Sequence, residues 1–530
     1  MKVIVIGGGA AGASCAARIR RNDEQAEVEI FEKTDEISIA NCGLPYYIGQ
    51  VITSEDDMHV SSVDMFENLF NIKVRLNTQV TEIKTAEHSV VTADGTTHSY
   101  DRLVITTGAQ PFVPDLKGME KDRTFTLRNL ADANRIKEYI KNNGVKRAVV
   151  VGGGFIGVEM AENLAELNID TTIVELAPHI MANVDEDIAK VAQNRLKKQG
   201  IKLVLSDGVK EFDSGKLILN SGSTLEYDLV VLSIGVRPQI EIAKAAGLAT
   251  GRGIIVNENM QTSDKDIFAA GDNVEVTDFS TGAKVLIPLA GPANRQGRII
   301  ADVITGKNSV YGATQGSSVV KIADLTLASV GSSEEKLKKL GKDYLKTVIF
   351  GRSHASYYPA SKDILYKLLF SKNGEILGAQ AIGEEGVEKR IDVIATVMRL
   401  KGTVQDLLDA ELCYAPPFNS AKDAVNVLGM NAVNILDGRV KMAFLEDLKD
   451  SFLIDVRPPM MFSSGTIEGA INIPAAKLRE SLDRIPHDKK VVLFCKTGYT
   501  SYVAARILMQ NGFDNVYSFG GGIMYYNQTR

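Results

Sequence analysis

Residues 2–12 read KVIVIGGGAAG, a short run of β-branched residues set directly against glycines at positions 7, 9 and 12. The run favours a strand, the G-x-G-x-x-G spacing permits a tight turn, and ASCAARIRR, which follows, reads as a helix. Such glycines let a pyrophosphate reach the helix N-terminus, where free backbone N–H groups and the helix dipole favour an anion. Glu32 stands twenty residues beyond Gly12, at the end of EVEIFEK, where it can accept hydrogen bonds from a ribose. Strand, turn, helix and distant acid together predict a dinucleotide-binding βαβ unit lined by Gly7, Gly9, Ala10, Ala11, Gly12 and Glu32.

The arrangement recurs. AVVVGGGFIGVEMAENL carries Gly152, Gly154 and Gly157, and the strand-like TTIVELAP contains Glu175. Phe155, Ile156 and Glu159 open the second helix and join its expected cofactor contacts. A carboxylate at Glu175 repels a 2′-phosphate, and Leu176, Ala177 and Pro178 offer it no cation, so NADH is expected over NADPH. His179 keeps NADPH as an alternative.

With 530 residues, the chain is expected to hold three or four domains. Its 45% apolar and 24% charged residues read as globular, and a net charge of −6 argues against a general nucleic-acid binder. Four cysteines, at 15, 42, 413 and 495, form no disulfide framework, which points to a reducing, cytoplasmic setting. The apolar start breaks at its glycines, so neither a signal segment nor a membrane span is expected there, and no span elsewhere. No metal site is expected.

YDRLVITTGAQP, with Thr107 and Gly108, then YDLVVLSIGVRP, with Gly235 and Arg237, then DIFAAGDNVEV, with Gly271 and Asp272, complete the set. In this order the motifs resemble the two-dinucleotide flavoprotein disulfide reductases over about residues 1 to 440. The resemblance implies FAD on the first loop, with Asp272 on its ribitol and Lys33, Val80, Thr107 and Gly108 beside it. It places the nicotinamide nucleotide on the second loop, with Gly235 nearby. The implied fold class is α/β: an FAD domain over 1–110 and 241–320, an NAD(P)H domain over 111–240, and an α+β dimerisation domain over 321–440.

SIANCGLPYY, residues 38–47, holds one cysteine. Most of that superfamily uses a C-x4-C pair and a C-terminal His–Glu pair, yet no cysteine follows Cys42 until Cys413 and residues 401–440 contain no histidine. Cys15, among small apolar residues on the first helix, reads as packing. Cys42 is therefore expected to cycle alone through a mixed disulfide, persulfide or sulfenic acid. Single-cysteine relatives include NADH peroxidases, water-forming NADH oxidases and coenzyme A disulfide reductases, and NCGLPYYIG is most similar to the last. The peroxide and oxygen branches keep a histidine in the first loop where this chain has Ala10 and Ala11.

That resemblance implies coenzyme A as substrate, and Ser14, Arg18 and Arg21 fall at i, i+4 and i+7 as one helical stripe for its anionic end. Lys73 and Arg75 are further candidate cations, while Ser38 and Asn41 match positions at the thiol end. HASYYPA and CYAPPFNSAKD lie in the implied dimer interface, so Tyr357 and Tyr414 are expected to cross to the partner's flavin site and donate O–H bonds to the coenzyme A sulfur. Tyr358 is the register alternative.

The tail, SFLIDVRPPMMFSSGTIEGAINIP to NVYSFGGGIMYY, resembles a rhodanese domain over about 445–530. Asp455 and Arg457 match its DVR element. Cys495 ends a strand and opens a six-residue loop, Cys495–Thr500, leading to a helix at Ser501; curled N–H groups there would lower the thiol pKa and cradle a persulfide. The C-x5-R of cysteine phosphatases is absent, since Ser501 stands at the arginine position. Together these features predict a homodimeric NADH- and FAD-dependent reductase of coenzyme A persulfide, polysulfide or coenzyme A disulfide, coupled to sulfur relay at Cys495. The alternatives are an NADH peroxidase or oxidase, and a redox-sensing sulfur-delivery protein.

Overall fold

In the computed structural model, which describes residues 1–530, KVIVI is the middle strand of a five-stranded parallel sheet. The order is Ile267–Ala269, Arg102–Ile105, Lys2–Ile6, Glu27–Phe31 and Lys73–Arg75. Ile6 lies in register with Phe31 on one side and Ile105 on the other, so the strand order reverses beside the first glycine loop. Such a switch point opens a crevice at the carboxyl ends of the strands. The three strands Ile267–Ala269, Arg102–Ile105 and Lys2–Ile6 are apolar and buried beyond their first residue, as a parallel sheet covered on both faces requires, whereas the outer strands Glu27–Phe31 and Lys73–Arg75 carry charges.

The second sheet repeats the plan around Arg147–Val151, in the order Lys202–Leu205, Asp170–Glu175, Arg147–Val151, Leu229–Leu232 and Thr124–Phe125, all parallel. Each half also carries a three-stranded antiparallel meander, Val80–Ser99 in one and Val209–Glu226 in the other. Gly7 shows why the loops need glycine: its φ of +101° is left-handed, and its counterpart Gly152 has +104°.

The chain divides into two units, Met1–Ile180 with Gly200–Gly316, and Met181–Gln199 with Ser317–Arg530. Residues 181–199, inside the span expected for the second nucleotide domain, thus group with the second unit. That unit contains a five-stranded antiparallel sheet, Ser318–Ile322, Leu325–Gly331, Ile376–Gly383, Asp363–Phe370 and Leu345–Arg352. Helices Glu186–Lys198 and Val387–Arg399 pack on it, and Ile376–Gly383 is buried at every position. The tail forms a five-stranded parallel sheet, Met442–Ala443, Val516–Phe519, Val491–Phe494, Phe452–Asp455 and Ile471–Asn472, with helix Tyr499–Gln510 against it. No helix is long and apolar enough to cross a membrane.

Candidate active site

The two glycine loops are built alike. Gly8 N–H donates to Glu32 Oε2 at 2.8 Å, and Gly153 N–H to Glu175 Oε2 at 2.6 Å. The other oxygen of Glu32 accepts from Thr34 N–H, and that of Glu175 from Ala177 N–H. Each acid therefore braces its own loop while keeping lone pairs for a ribose. Gly9 and Gly154 face open space where a Cβ would point, which suits close approach of a pyrophosphate. Ala10 and Ala11 begin the first helix, Phe155 and Ile156 the second, and Ile156 is exposed. His179 is buried with Nδ1 on the Ile180 carbonyl, away from any role as a surface cation for NADPH.

Thr107 Oγ1 donates to the Gln239 carbonyl at 2.7 Å and accepts from Asn273 Nδ2 at 3.0 Å, holding the two linker segments to the Gly271–Asn273 turn. Lys33 Nζ donates to Gln239 Oε1, Val80 is buried, and Gly108 and Gly235 both adopt positive φ. Gly271 N–H donates to Gln296 Oε1 at 2.8 Å, which aims the neighbouring Asp272. Burial raises the Asp272 carboxyl above its ordinary range while Arg128, 3.6 Å away, opposes the shift. A partly desolvated carboxylate with one distant cation suits a polyol hydroxyl, so Asp272 and the first loop fit FAD.

Cys42 sits in a single turn of 3₁₀ helix, Asn41–Gly43, that runs into helix Leu44–Ile48. Ser38, at φ 57°, donates its N–H to Gly8 O at 3.1 Å, tying this segment to the first loop. Cys42 is solvent-accessible, yet desolvation is the first cause raising its thiol pKa, followed by the charges of Glu159 and Asp272, with Arg128 opposing. Tyr46, one helical turn on, donates its O–H to Glu159 Oε1 at 3.0 Å. Burial raises the Glu159 carboxyl, the Tyr46 bond opposes this, and Glu162 adds to it. Tyr46, Glu159 and Arg128 thus surround the thiol. Tyr46 was visible at i+4 from Cys42, whereas Arg128 lies in FTLRNL, which carries no motif.

Along the first helix, Ser14 Oγ donates to the Asn294 carbonyl at 3.4 Å. Arg18 Nε pairs with Asp302 at 2.9 Å because this helix packs on helix Ala290–Ile304. Arg21 is exposed and meets only the Phe70 ring, 5.8 Å from its centroid. The basic stripe is therefore interrupted: Arg18 is neutralised and Arg21 is not. Arg75 is likewise paired with Glu29, 2.6 Å away. Asn41 is exposed beside Cys42.

In the second unit, the hydroxyls of Tyr357 and Tyr414 hydrogen-bond each other at 2.5 Å. That bond raises the Tyr357 phenol. Tyr358 instead sets its ring edge-on to His354, whose nitrogens are engaged by Ser353 Oγ and the Pro359 carbonyl. Beneath the two tyrosine loops lies Arg390, buried with Asp423 at 3.2 Å. Its Nη2 donates to the Ser353 carbonyl and to Asn419 Oδ1, and Asn419 Nδ2 donates to the Cys413 carbonyl. One guanidinium thereby braces both loops, a role invisible in sequence.

Cys495 follows strand Val491–Phe494 and is buried, with Gly498 N–H donating to its Sγ at 3.2 Å. The helix begins at Tyr499, two residues before the expected Ser501, so its first turn closes the sulfur loop. Arg457 forms a two-pronged pair with Asp455, and Thr466 Oγ1 completes that carboxylate's partners. Asp455 and Arg457 consequently stiffen the loop's surroundings.

Residues 1–297 match the family model described as pyridine nucleotide-disulphide oxidoreductase, 317–425 its dimerisation domain, and 429–529 a rhodanese-like domain. An NADH oxidase of Methanocaldococcus jannaschii is 35% identical over 83% of this chain and 100% of its own length. A coenzyme A disulfide reductase of Staphylococcus haemolyticus is 32% identical over 81% and 99%. Among solved structures, reduced CoADR-RHD of Bacillus anthracis is 44% identical with a TM-score of 0.97, covering 100% of this chain and 98% of that one. A NAD-dependent persulfide reductase of A. fulgidus is 36% identical with a TM-score of 0.93, covering 99% and 100%. The chain belongs to the pyridine nucleotide-disulphide oxidoreductase family, as a flavoprotein disulfide oxidoreductase with a dimerisation domain and a C-terminal rhodanese domain.

Proposed function

We propose that this enzyme uses NADH to reduce coenzyme A persulfide, polysulfide or coenzyme A disulfide at Cys42, and relays sulfane sulfur at Cys495. The observation that carries the reading is the pairing, in one chain, of a lone accessible thiol between Asp272 and Glu159 with a second thiol whose sulfur accepts a backbone N–H from Gly498. The coenzyme A disulfide reductase and persulfide reductase relatives support it.

FAD, when bound, supplies the electron pair that NADH brings. The Cys42 thiolate attacks the substrate's S–S bond, forming a mixed disulfide and releasing a thiolate or hydrosulfide. Two electrons then cleave the mixed disulfide, freeing the second thiol and restoring the thiolate. Per turnover one NADH and one proton convert coenzyme A disulfide into two thiols, or a persulfide into a thiol and hydrogen sulfide.

Protons reach the departing sulfur from phenols, which stay protonated at neutral pH. We assign this task to the partner subunit's Tyr357 and the partner subunit's Tyr414 in a homodimer. Ser14, Arg21, Ser38 and Asn41 hold coenzyme A, with Arg18 contributing as part of its Asp302 pair. The reaction belongs in a reducing cytoplasm.

An oxidase or peroxidase role is favoured by the name of the M. jannaschii relative. Against it stand Ala10 and Ala11 in the first loop and a His354 already engaged at both nitrogens. Mass spectrometry of the resting protein, with NADH consumption measured on each substrate, decides. A coenzyme A adduct on Cys42 and thiol-dependent turnover are expected. Peroxide- or oxygen-dependent turnover with no thiol requirement overturns the reading, and negligible turnover with every substrate favours the sulfur-delivery role.

A further inference from the structure

The glycine triplet Gly520–Gly522 and the Ile-Met-Tyr that follows have no part in the sulfur chemistry described so far. Gly521 and Gly522 both adopt left-handed φ, 71° and 61°, and a Cβ on Gly522 would collide with the carbonyls of Cys495 and Lys496. Those two carbonyls accept from Ile523 N–H at 2.9 Å and Met524 N–H at 3.1 Å. The C-terminal helix Gly522–Gln528 thus has its first turn locked onto the peptide groups that open the sulfur loop.

The next residue, Tyr525, points elsewhere. It is 3% exposed, and its O–H donates to Asp187. Asp187 also takes Lys367 Nζ at 2.9 Å, and Lys367, itself 2% exposed, bonds Asp185 at 3.0 Å and Glu334 as well. Gln380 Nε2 donates to Asp185 at 2.8 Å, Tyr344 O–H to Glu334 at 2.6 Å, and Lys346 Nζ to Glu334 at 3.0 Å. Lys338, mostly exposed, adds a third ammonium 3.7 Å from Glu334, and Lys346 is shared with Glu446, so the buried carboxylates around Lys367 draw on neutral donors such as Tyr525 to complete their hydrogen bonding. Burial and the Asp187 charge raise the Tyr525 phenol far above its ordinary range, so it remains a donor.

We propose that Tyr525 is a positioning residue for sulfur transfer at Cys495, fastening the carbonyls of the sulfur loop, through the C-terminal helix, to the buried Asp185–Asp187–Glu334–Lys367 cluster. This rests on the relay reading of Cys495. A loop hydrogen-bonded only to its own domain would move with that domain's surface fluctuations. Tied to a buried ionic cluster, it keeps Gly498 N–H on the sulfur through the transfer.

The test is Tyr525→Phe in the full-length holoenzyme, which removes one oxygen and keeps the ring. Peptide-resolved hydrogen exchange over 495–500 and 520–528, and the iodoacetamide rate at Cys495, report the loop directly. Exchange there should rise about tenfold, as for loss of one hydrogen bond to a charged group, with strand Arg102–Ile105 unchanged. The Cys495 alkylation rate should change several-fold, in the range of the same lost bond. Thiosulfate sulfurtransfer should lose kcat by about tenfold at nearly constant KM, while reduction of coenzyme A disulfide stays within about twofold. Unchanged loop exchange and alkylation overturn the proposal, as does an equal fall in both activities. If Tyr525→Phe fails to fold, Asp187→Asn, which keeps an acceptor for the phenol but weakens the bond, is judged by the same measurements. Should the wild-type protein lack sulfurtransfer, the relay reading falls, and exchange and alkylation still decide whether Tyr525 holds the loop.

Discussion

Tyr357 and Tyr414, far apart in sequence, share one hydrogen bond of 2.5 Å between their hydroxyl oxygens. One donates to the other, so the pair keeps one phenolic proton for a further partner. Tyr357→Phe or Tyr414→Phe alone should lower kcat about tenfold, and the double variant about a hundredfold, the lower range for general-acid contributions. The dimer should persist, as size-exclusion chromatography will check. Unchanged kinetics in the double variant would remove the tyrosines from proton delivery.

Cys42→Ser should retain FAD, judged by its visible spectrum, and still be reduced by NADH while losing disulfide and persulfide turnover. Glu159→Gln addresses the thiol from the other side. It removes a charge that raises the Cys42 pKa, so the thiolate fraction at neutral pH should grow. Iodoacetamide should then modify Cys42 several-fold faster, a fraction of a pKa unit in thiolate population. A slower or equal rate would show that Glu159 does not act through its charge.

Cys495→Ser separates the two sulfur sites. Sulfurtransfer from thiosulfate or persulfide should vanish, reduction of preformed coenzyme A disulfide should stay nearly intact, and polysulfide reduction should fall between. An equal loss of all activities in a natively folded variant would mean that Cys495 contributes only to structure. Full sulfurtransfer would remove it from the chemistry.

Arg390 and Asp423 are each 2% exposed, and breaking such a pair leaves one buried charge uncompensated. Arg390→Met should therefore cost about 3–5 kcal/mol in the second unit. Arg390→Lys should recover part of this stability, read from the thermal midpoint. It should not recover kcat, because an ammonium cannot span the Ser353 carbonyl, Asn419 and Asp423 together. Full activity in Arg390→Lys would deny the guanidinium any part in aligning the tyrosines.

Glu334 gives a pH dependence. Burial pushes its carboxyl up, but Lys367 and Lys346 outweigh burial and hold it at about 2, against an ordinary 4.5. Since the folded pKa is depressed, this stabilisation is present above about 4.5 and is lost as the pH falls towards about 2. Urea midpoints followed by circular dichroism should drop across that window. In Glu334→Gln the midpoint should be lower at neutral pH and the acid slope shallower, and an unaltered slope would contradict the assignment.

Both nucleotide domains were legible because their signals are local: an apolar strand, three glycines and an acid at the next strand end. The placement of Cys42 in a turn beside the first loop and of Cys495 at a strand end was legible for the same reason. The helical spacing of Ser14, Arg18 and Arg21 was correct as geometry, yet Asp302, 284 residues beyond Arg18, captures its guanidinium. Sequence periodicity carries no information about such a distant partner. Arg128, Arg390 and Tyr525 were hidden likewise, since each acts through contacts that exist only once remote segments pack. The grouping of Met181–Gln199 with the second unit follows from the same kind of contact, here between Lys367 and the Asp185–Asp187 turn.

The bond from Gly153 N–H to Glu175 gives coenzyme choice a mechanical side. An acid that merely discriminated against a 2′-phosphate could be exchanged freely, and one substitution would retune the enzyme. Here the same carboxylate also ties down Ala177 N–H, so replacing it slackens the phosphate turn at the moment the new coenzyme is admitted. Admitting a 2′-phosphate here would therefore call for two coordinated changes, one supplying a cation near Leu176 and one rebuilding the turn's internal bracing. Coenzyme choice at this loop is thus bound up with the loop's own architecture and cannot be retuned at Glu175 alone.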